Sequence, residues 1–227
     1  MEERDAERNT GPRRGRPTRV PLSRRRVVTE AVALADEKGE PGVTMRAVAG
    51  RLGVEAMSLY NHVANRGDLL DGMVDAVFAE IDLPDPASTW RTAVRDRTES
   101  ARATLRRHPW AVGLMDSRSS PGPATLRHHD AVLGVLREGG FSIAGAVRAV
   151  SVIDSYLYGF VLQETSLPFA DREGLDEVAG GILGALPAGS HPYLAEVITE
   201  QALGEDLTDG FAFGLTLILD ALHPDQV

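Results

Sequence analysis

Residues 44–66 read TMRAVAGRLGVEAMSLYNHVANR, and this stretch decides the fold. Val48, Ala49, Leu52, Val54, Leu59 and Val63 are spaced so that two short helices pack crosswise, joined at Gly53. Small Ala49 permits the close crossing, and Gly53 permits the turn. The second helix is predicted to end in Leu59-Tyr60-Asn61-His62-Val63. Its outward positions are Met57, Ser58, Tyr60, Asn61 and His62. The pattern is a helix-turn-helix, whose second helix can lie in a major groove and reach base edges or phosphates.

The flanks support this reading. Ser23 is a fitting N-cap for a helix with Val27, Ala31, Leu34 and Ala35 on one face, ending near Gly39. Its first turn holds Arg24, Arg25 and Arg26, cations placed at the positive end of a helix dipole. Phosphate contact explains that placement better than a screened, solvated cluster. Thr44 is the expected cap of the next helix, and Asn65 with Asp68 resembles a capping box opening another. That last helix, 66–81, carries Leu69, Leu70, Met73, Val74, Val77, Phe78 and Ile81. The stripe is too wide for a lone three-helix head, so the helix is predicted to connect head and body.

The net charge of −9 divides unevenly along the chain. Residues 1–66 carry 13 Lys and Arg against 9 Asp and Glu, a balance of +4, which leaves −13 for residues 67–227. A basic head on an acidic body confines DNA contact to the head. Residues 1–21 are rich in Arg, Gly and Pro and read as a disordered arm. Within it Arg13, Arg14 and Arg16 fit a narrow minor groove, and fit a solvated tail equally well. The domains expected are thus this arm, a head over 22–66 and a ligand-binding and dimerisation body over 82–227.

The absence of cysteine excludes thiol chemistry and Cys-ligated zinc. A polar N-terminus argues against a secretory signal, and no uninterrupted apolar run reaches about 18 residues. A cytoplasmic protein is expected. No period-2 pattern of useful length occurs, so the fold expected is all-α. Body helices are predicted over 89–107, 124–138, 142–166, 175–183, 193–203 and 206–222, with a short segment at 110–116. The 142–166 and 206–222 helices are apolar nearly all round and should be buried on two sides. One side faces the body, and the other a second copy of the chain. Val152, Tyr156, Gly159, Phe211, Leu215 and Ile218 are the expected interface.

Asp154 lies inside an apolar run, where a carboxylate needs a partner, a ligand or water. Trp110, Met115 and Tyr158 suit either an apolar pocket or plain core. His128-His129-Asp130 invites a metal reading, but adjacent histidines on a helix diverge by about 100°. A solvated face is expected there, with no metal and no cofactor. No nucleophile elbow, P-loop or dinucleotide fingerprint is present.

Together these motifs resemble the TetR family of transcriptional regulators over almost the whole chain. Gly42-Val43-Thr44-Met45-Arg46, Leu59-Tyr60-Asn61-His62-Val63 and Arg66-Gly67-Asp68-Leu69-Leu70-Asp71 are similar to the family's DNA-binding domain. Gly140-Phe141-Ser142, Tyr158-Gly159-Phe160-Val161-Leu162 and Phe213-Gly214-Leu215 resemble the tetracycline-repressor type of ligand-binding body. The resemblance implies that Thr44 touches phosphate, that Arg46 reaches a base or the backbone, and that Arg66 grips phosphate. It implies that Met57, Ser58, Tyr60, Asn61 and His62 line the groove, and that His108 contacts an effector, although it is as readily a satisfied helix-end histidine. Ala56, Met57 and Asn61 depart from the tetracycline repressor's Gln, Pro and Trp, which implies a different operator. Gln163 stands at the expected glutamate and Ala111 at the expected threonine, which argues against a magnesium–tetracycline site. The function expected is a homodimeric repressor released from a palindromic operator by a small molecule, with an activator as a variant. The alternative is a helical small-molecule-binding protein or enzyme with a structural head, using His108, Asp154 and Glu164.

Overall fold

A computed structural model describes residues 21–115, 117, 120–167, 172–187, 189–203 and 210–224. Ten α-helices are described, and no strand occurs among these residues. The arm residues Arg13, Arg14 and Arg16 lie outside them.

The head is built by side-chain caps. Ser23 accepts from the Arg26 amide and opens α1, Arg24–Lys38. A 3-10 turn at Glu40–Gly42 leads to Thr44, which accepts from the Ala47 amide and opens α2, Met45–Leu52. Gly53 is left-handed at φ 66° and ψ 37°, a conformation that costs an L-residue about 1–2 kcal/mol. It closes a Schellman pair, with Val54 N–H on Ala49 O at 3.0 Å and Gly53 N–H on Gly50 O at 3.2 Å. The next helix, α3, is a single turn, Ala56–Leu59. It is shorter than expected because Tyr60, Asn61 and His62 form turns, through which the His62 and Val63 amides bond Leu59 O. Asn65 then caps α4, Arg66–Phe78, which stops three residues before the expected Ile81.

The body follows as α5 (Trp90–Arg107), a 3-10 turn (Pro109–Leu114), α6 (Pro123–Glu138), α7 (Ile143–Ser166), α8 (Arg172–Ala185), α9 (Pro192–Leu203) and α10 (Gly210–Ala221). By length and composition α7 passes as a membrane span, but it is packed among α5, α6 and α10.

Two apolar clusters result. Val27, Leu34, Val48, Leu59 and Val63 fill the head, and Leu105, Leu136, Ile153, Leu157 and Leu215 fill the body. Helix α4 is shared: Leu69, Leu70 and Met73 belong to the head cluster, and Val74, Val77 and Phe78 to the body cluster. A rigid helix anchored in both cores cannot shift in one without loading the other.

The expected dimer residues divide. Phe211 and Leu215 are fully buried in the protomer's own core, and Ile218 packs against that core. Tyr156 stacks on Phe211 at 5.4 Å, and its hydroxyl donates to Phe211 O at 2.9 Å. A methyl at Gly214 would collide with that hydroxyl, so glycine lets Tyr156 lie across α10. Only Val152 and Gly159 of the expected set face outward. The unaccompanied apolar side chains of α10 are Phe213 and Leu217 instead, both more than half exposed. Helical phase explains the division: Phe211, Leu215 and Leu219 form the inner stripe, and Phe213 and Leu217 sit on the other side.

Candidate nucleic-acid interface and its link to the body

Buried Leu59 and Val63 pin the segment around α3 to the head core. Around them Met57, Tyr60 and Asn61 are exposed, and Ser58 and His62 are half-buried. Met57, at 73% exposure, is a large apolar side chain held out into solvent on a fixed backbone, which suits a thymine methyl. Thr44 is exposed beside this surface and already caps α2. Arg46 is exposed and has no hydrogen-bond or ion-pair partner among the described residues, as is also true of Arg25.

Two arginines expected on phosphates are engaged within the head. Arg24 Nη2 and Nη1 donate to the two Asp68 carboxylate oxygens at 2.5 and 2.9 Å, and Nη1 also reaches His62 O at 3.2 Å. The pair holds the start of α4 against α1. The Arg24 hydrogen bond, opposed by partial burial and aided by the Ala64 amide, keeps the Asp68 carboxyl below its ordinary range. Arg66 Nε donates to Val43 O at 2.9 Å, and its Nη2 donates to Glu40 O and the Glu40 carboxylate. Both cations therefore position the reading surface. Capping logic predicted where these helices start, but not which carboxylate 26 or 44 residues away would meet each arginine.

His108 is likewise engaged within the protein. It is buried at the end of α5, with Nδ1 2.7 Å from Asp36 Oδ1 on α1 and Nε2 3.2 Å from Glu80 Oε2 after α4. Trp110 Nε1 donates to the same Asp36 oxygen at 2.7 Å, and Arg107 reaches Glu80 at 2.8 Å. Burial works to raise the Glu80 carboxyl, but the Arg107 and His108 hydrogen bonds outweigh it and hold it low. This cluster fastens head to body. A second fastening joins α4 to the start of α6, where Thr125 N–H and Oγ1–H donate to Asp75 Oδ1 at 2.8 and 3.0 Å.

Of the remaining expected effector residues, Met115 is buried in the body core and Tyr158 packs against it. Gln163 is exposed. Asp154 is buried and paired, Arg97 Nη1 lying 2.7 Å from its Oδ1. The solvated face expected at His128 is wrong: His128 is 1% exposed, and Arg97 Nε donates to its Nε2 at 2.7 Å. His129 is half-buried, its Nδ1 donating to Thr125 O, and only Asp130 is exposed. The signal that could have found this triad was its spacing on three amphipathic helices, each burying a single ionisable residue in its inward stripe. Among the described residues no group of His, Asp and Glu could hold a metal.

Comparisons place this architecture. Residues 83–224 match the family model for the tetracyclin repressor-like C-terminal domain. The chain is 34% identical over 224 residues to the HTH-type transcriptional repressor DrrR1 of Streptomyces coeruleorubidus, covering 95% of this chain and 82% of that one. It is 32% identical to the class A tetracycline repressor protein from transposon 1721 of Escherichia coli, over 86% and 88% of the two chains. The solved structure of ActR from Streptomyces coelicolor in complex with actinorhodin superposes with a TM-score of 0.75 at 27% identity, covering 89% and 95%. The capped helix-turn-helix head, the shared α4 and the matched body agree: the chain belongs to the TetR family of transcriptional regulators.

Proposed function

We propose that the protein is a ligand-responsive transcriptional repressor rather than an enzyme. It acts in the cytoplasm as a homodimer on a palindromic operator and leaves it when a small molecule enters the body. The observation that carries this is the exposed set Met57, Tyr60 and Asn61 on a backbone pinned by Leu59 and Val63, with Arg46 exposed and unpaired among the described residues. Base-edge readers need fixed positions, and phosphate contact needs free cations. The similarity to DrrR1, a transcriptional repressor, supports the sign of regulation.

Two heads read successive major grooves about 34–36 Å apart, so their spacing is the regulated quantity. Phe213 and Leu217 on α10, with Val152 and Gly159 on α7, form the apolar face that meets a second copy. ActR was solved with actinorhodin, which supports a body of this shape taking an organic effector. The effector biases α4 through its body-side residues Val74, Val77 and Phe78, and the head follows. A coupling of about 1–3 kcal/mol, equivalent to roughly 5–150-fold in operator affinity, is typical of such linkage.

The test is gel retardation of DNA from the region upstream of its own gene. The expected result is a retarded complex that weakens steeply with salt. Absent or salt-insensitive binding contradicts the reading.

A further inference from the structure

Three helices of the body each contribute one polar residue to a cluster inside the apolar core. Arg97 on α5, His128 on α6 and Asp154 on α7 are all buried. Arg97 donates to both partners, to Asp154 Oδ1 through Nη1 and to His128 Nε2 through Nε, each at 2.7 Å. A guanidinium has only donors, so Nε2 must accept, and the single proton of the neutral ring sits on Nδ1. Burial, reinforced by the adjacent guanidinium, suppresses the doubly protonated ring and pushes the His128 pKa down to about 3.

That Nδ1–H is buried and has no hydrogen-bond partner among the described residues. Every other buried side-chain nitrogen and oxygen described here has one. An unanswered buried donor is destabilising, and native proteins retain such groups where a ligand or ordered water answers them. The neighbouring surface is aromatic: the Phe78 ring lies 5.3 Å from the His128 ring and 5.4 Å from that of His129. Phe78 is also the last residue of α4, the helix shared between the two cores.

We infer that His128 Nδ1–H is the hydrogen-bond donor that recognises the effector, an apolar aromatic small molecule presenting a ketone or quinone oxygen to it and packing against Phe78. Such a ligand is read for polarity by α6 while it presses on the end of α4. Asp154 holds Arg97, and Arg97 fixes the tautomer, so both are positioning residues for the donor. The inference rests on the reading of the body as an effector domain.

The test uses the full-length protein labelled with 15N-histidine. The probes are two-, three- and four-ring aromatic ketones and quinones, each paired with its carbonyl-free hydrocarbon. The ring nitrogens of His128 should report the Nδ1–H tautomer in the free protein. A ketone should bind about tenfold more tightly than its hydrocarbon and shift the Nδ1 signal. His128→Phe should abolish that preference, and His128→Gln, which retains an acceptor for Arg97 and an amide donor, should preserve part of it. The wild-type ring spectrum decides the matter even if His128→Phe does not fold. An Nε2–H tautomer, equal affinity for ketone and hydrocarbon, ketone binding that leaves the Nδ1 signal unmoved, or no binding across the panel each overturns the inference. Retardation of upstream DNA is run alongside. Retained DNA without probe binding removes this inference alone, whereas failure to retain any duplex removes the regulator reading itself.

Discussion

Acidification from pH 7.5 to 5 should weaken the fold through His128. The unfolded chain titrates this ring at the ordinary histidine value of about 6.5, whereas burial against Arg97 pushes the native ring to about 3. Between those values the unfolded state binds the extra proton and the native state does not. The contribution is complete above pH 6.5 and is lost progressively as pH falls towards 3. At pH 5 the separation is about 1.5 units on the unfolded side, or ~2 kcal/mol of lost stability. The carboxyls of Asp68 and Glu80, held low by Arg24 and by Arg107 with His108, add their own acid sensitivity only below the ordinary carboxylate range. The window from pH 5 to 6.5 is therefore clear of them. Urea unfolding followed by tryptophan fluorescence measures the effect at both pH values. His128→Gln, which keeps an acceptor for Arg97 but cannot take the proton, should remove most of the difference. A wild type equally stable at pH 7.5 and 5, or a variant with an unchanged slope, refutes the assignment of a neutral buried ring.

Other perturbations separate reading from scaffolding. Tyr60→Ala and Asn61→Ala should each cost about 1–3 kcal/mol of operator affinity where they meet a base, with urea midpoints unchanged, as titration and unfolding of the same samples would show. Arg46→Ala should weaken binding across sequences and reduce the salt slope by about 1. Asp36→Ala should leave the Nδ1 of buried His108 and the Trp110 indole N–H without their partner, lowering stability by about 1–3 kcal/mol in urea unfolding. Phe213→Asp with Leu217→Asp should yield a folded monomer in sedimentation, whereas Leu215→Asp, fully buried, should prevent folding.

The head was legible in the sequence because its signals are local. Ser23, Thr44 and Asn65 cap helices whose amides lie three residues away, and Gly53 answers a backbone need at its own position. The single-turn length of α3 was less visible, since Leu59 and Val63 keep helical spacing even where the chain between them turns. The body's helix spans were readable from Pro109, Gly139 and the amphipathic stripes, but not the phase of its most apolar helix. When nearly every position of α10 is hydrophobic, periodicity cannot tell Phe211 from Phe213. The polar contacts that mattered most were invisible for a different reason. Arg24 with Asp68, Asp36 with His108, and Arg97 with His128 and Asp154 join residues 31 to 72 positions apart, so the sequence could show that buried Asp154 needed a partner but not which residue would supply it.

In the proposed repressor, two copies of this head grip one duplex through base readers on a pinned backbone and through Arg46 and Arg25 on phosphates. Fluorescence-anisotropy titration of the full-length protein, on a palindromic duplex selected from a random pool and repeated from 50 to 200 mM salt, measures it directly. Two protomers per duplex are expected, with an affinity that falls by orders of magnitude across that range. One protomer per duplex, or an affinity that hardly changes with salt, would contradict it.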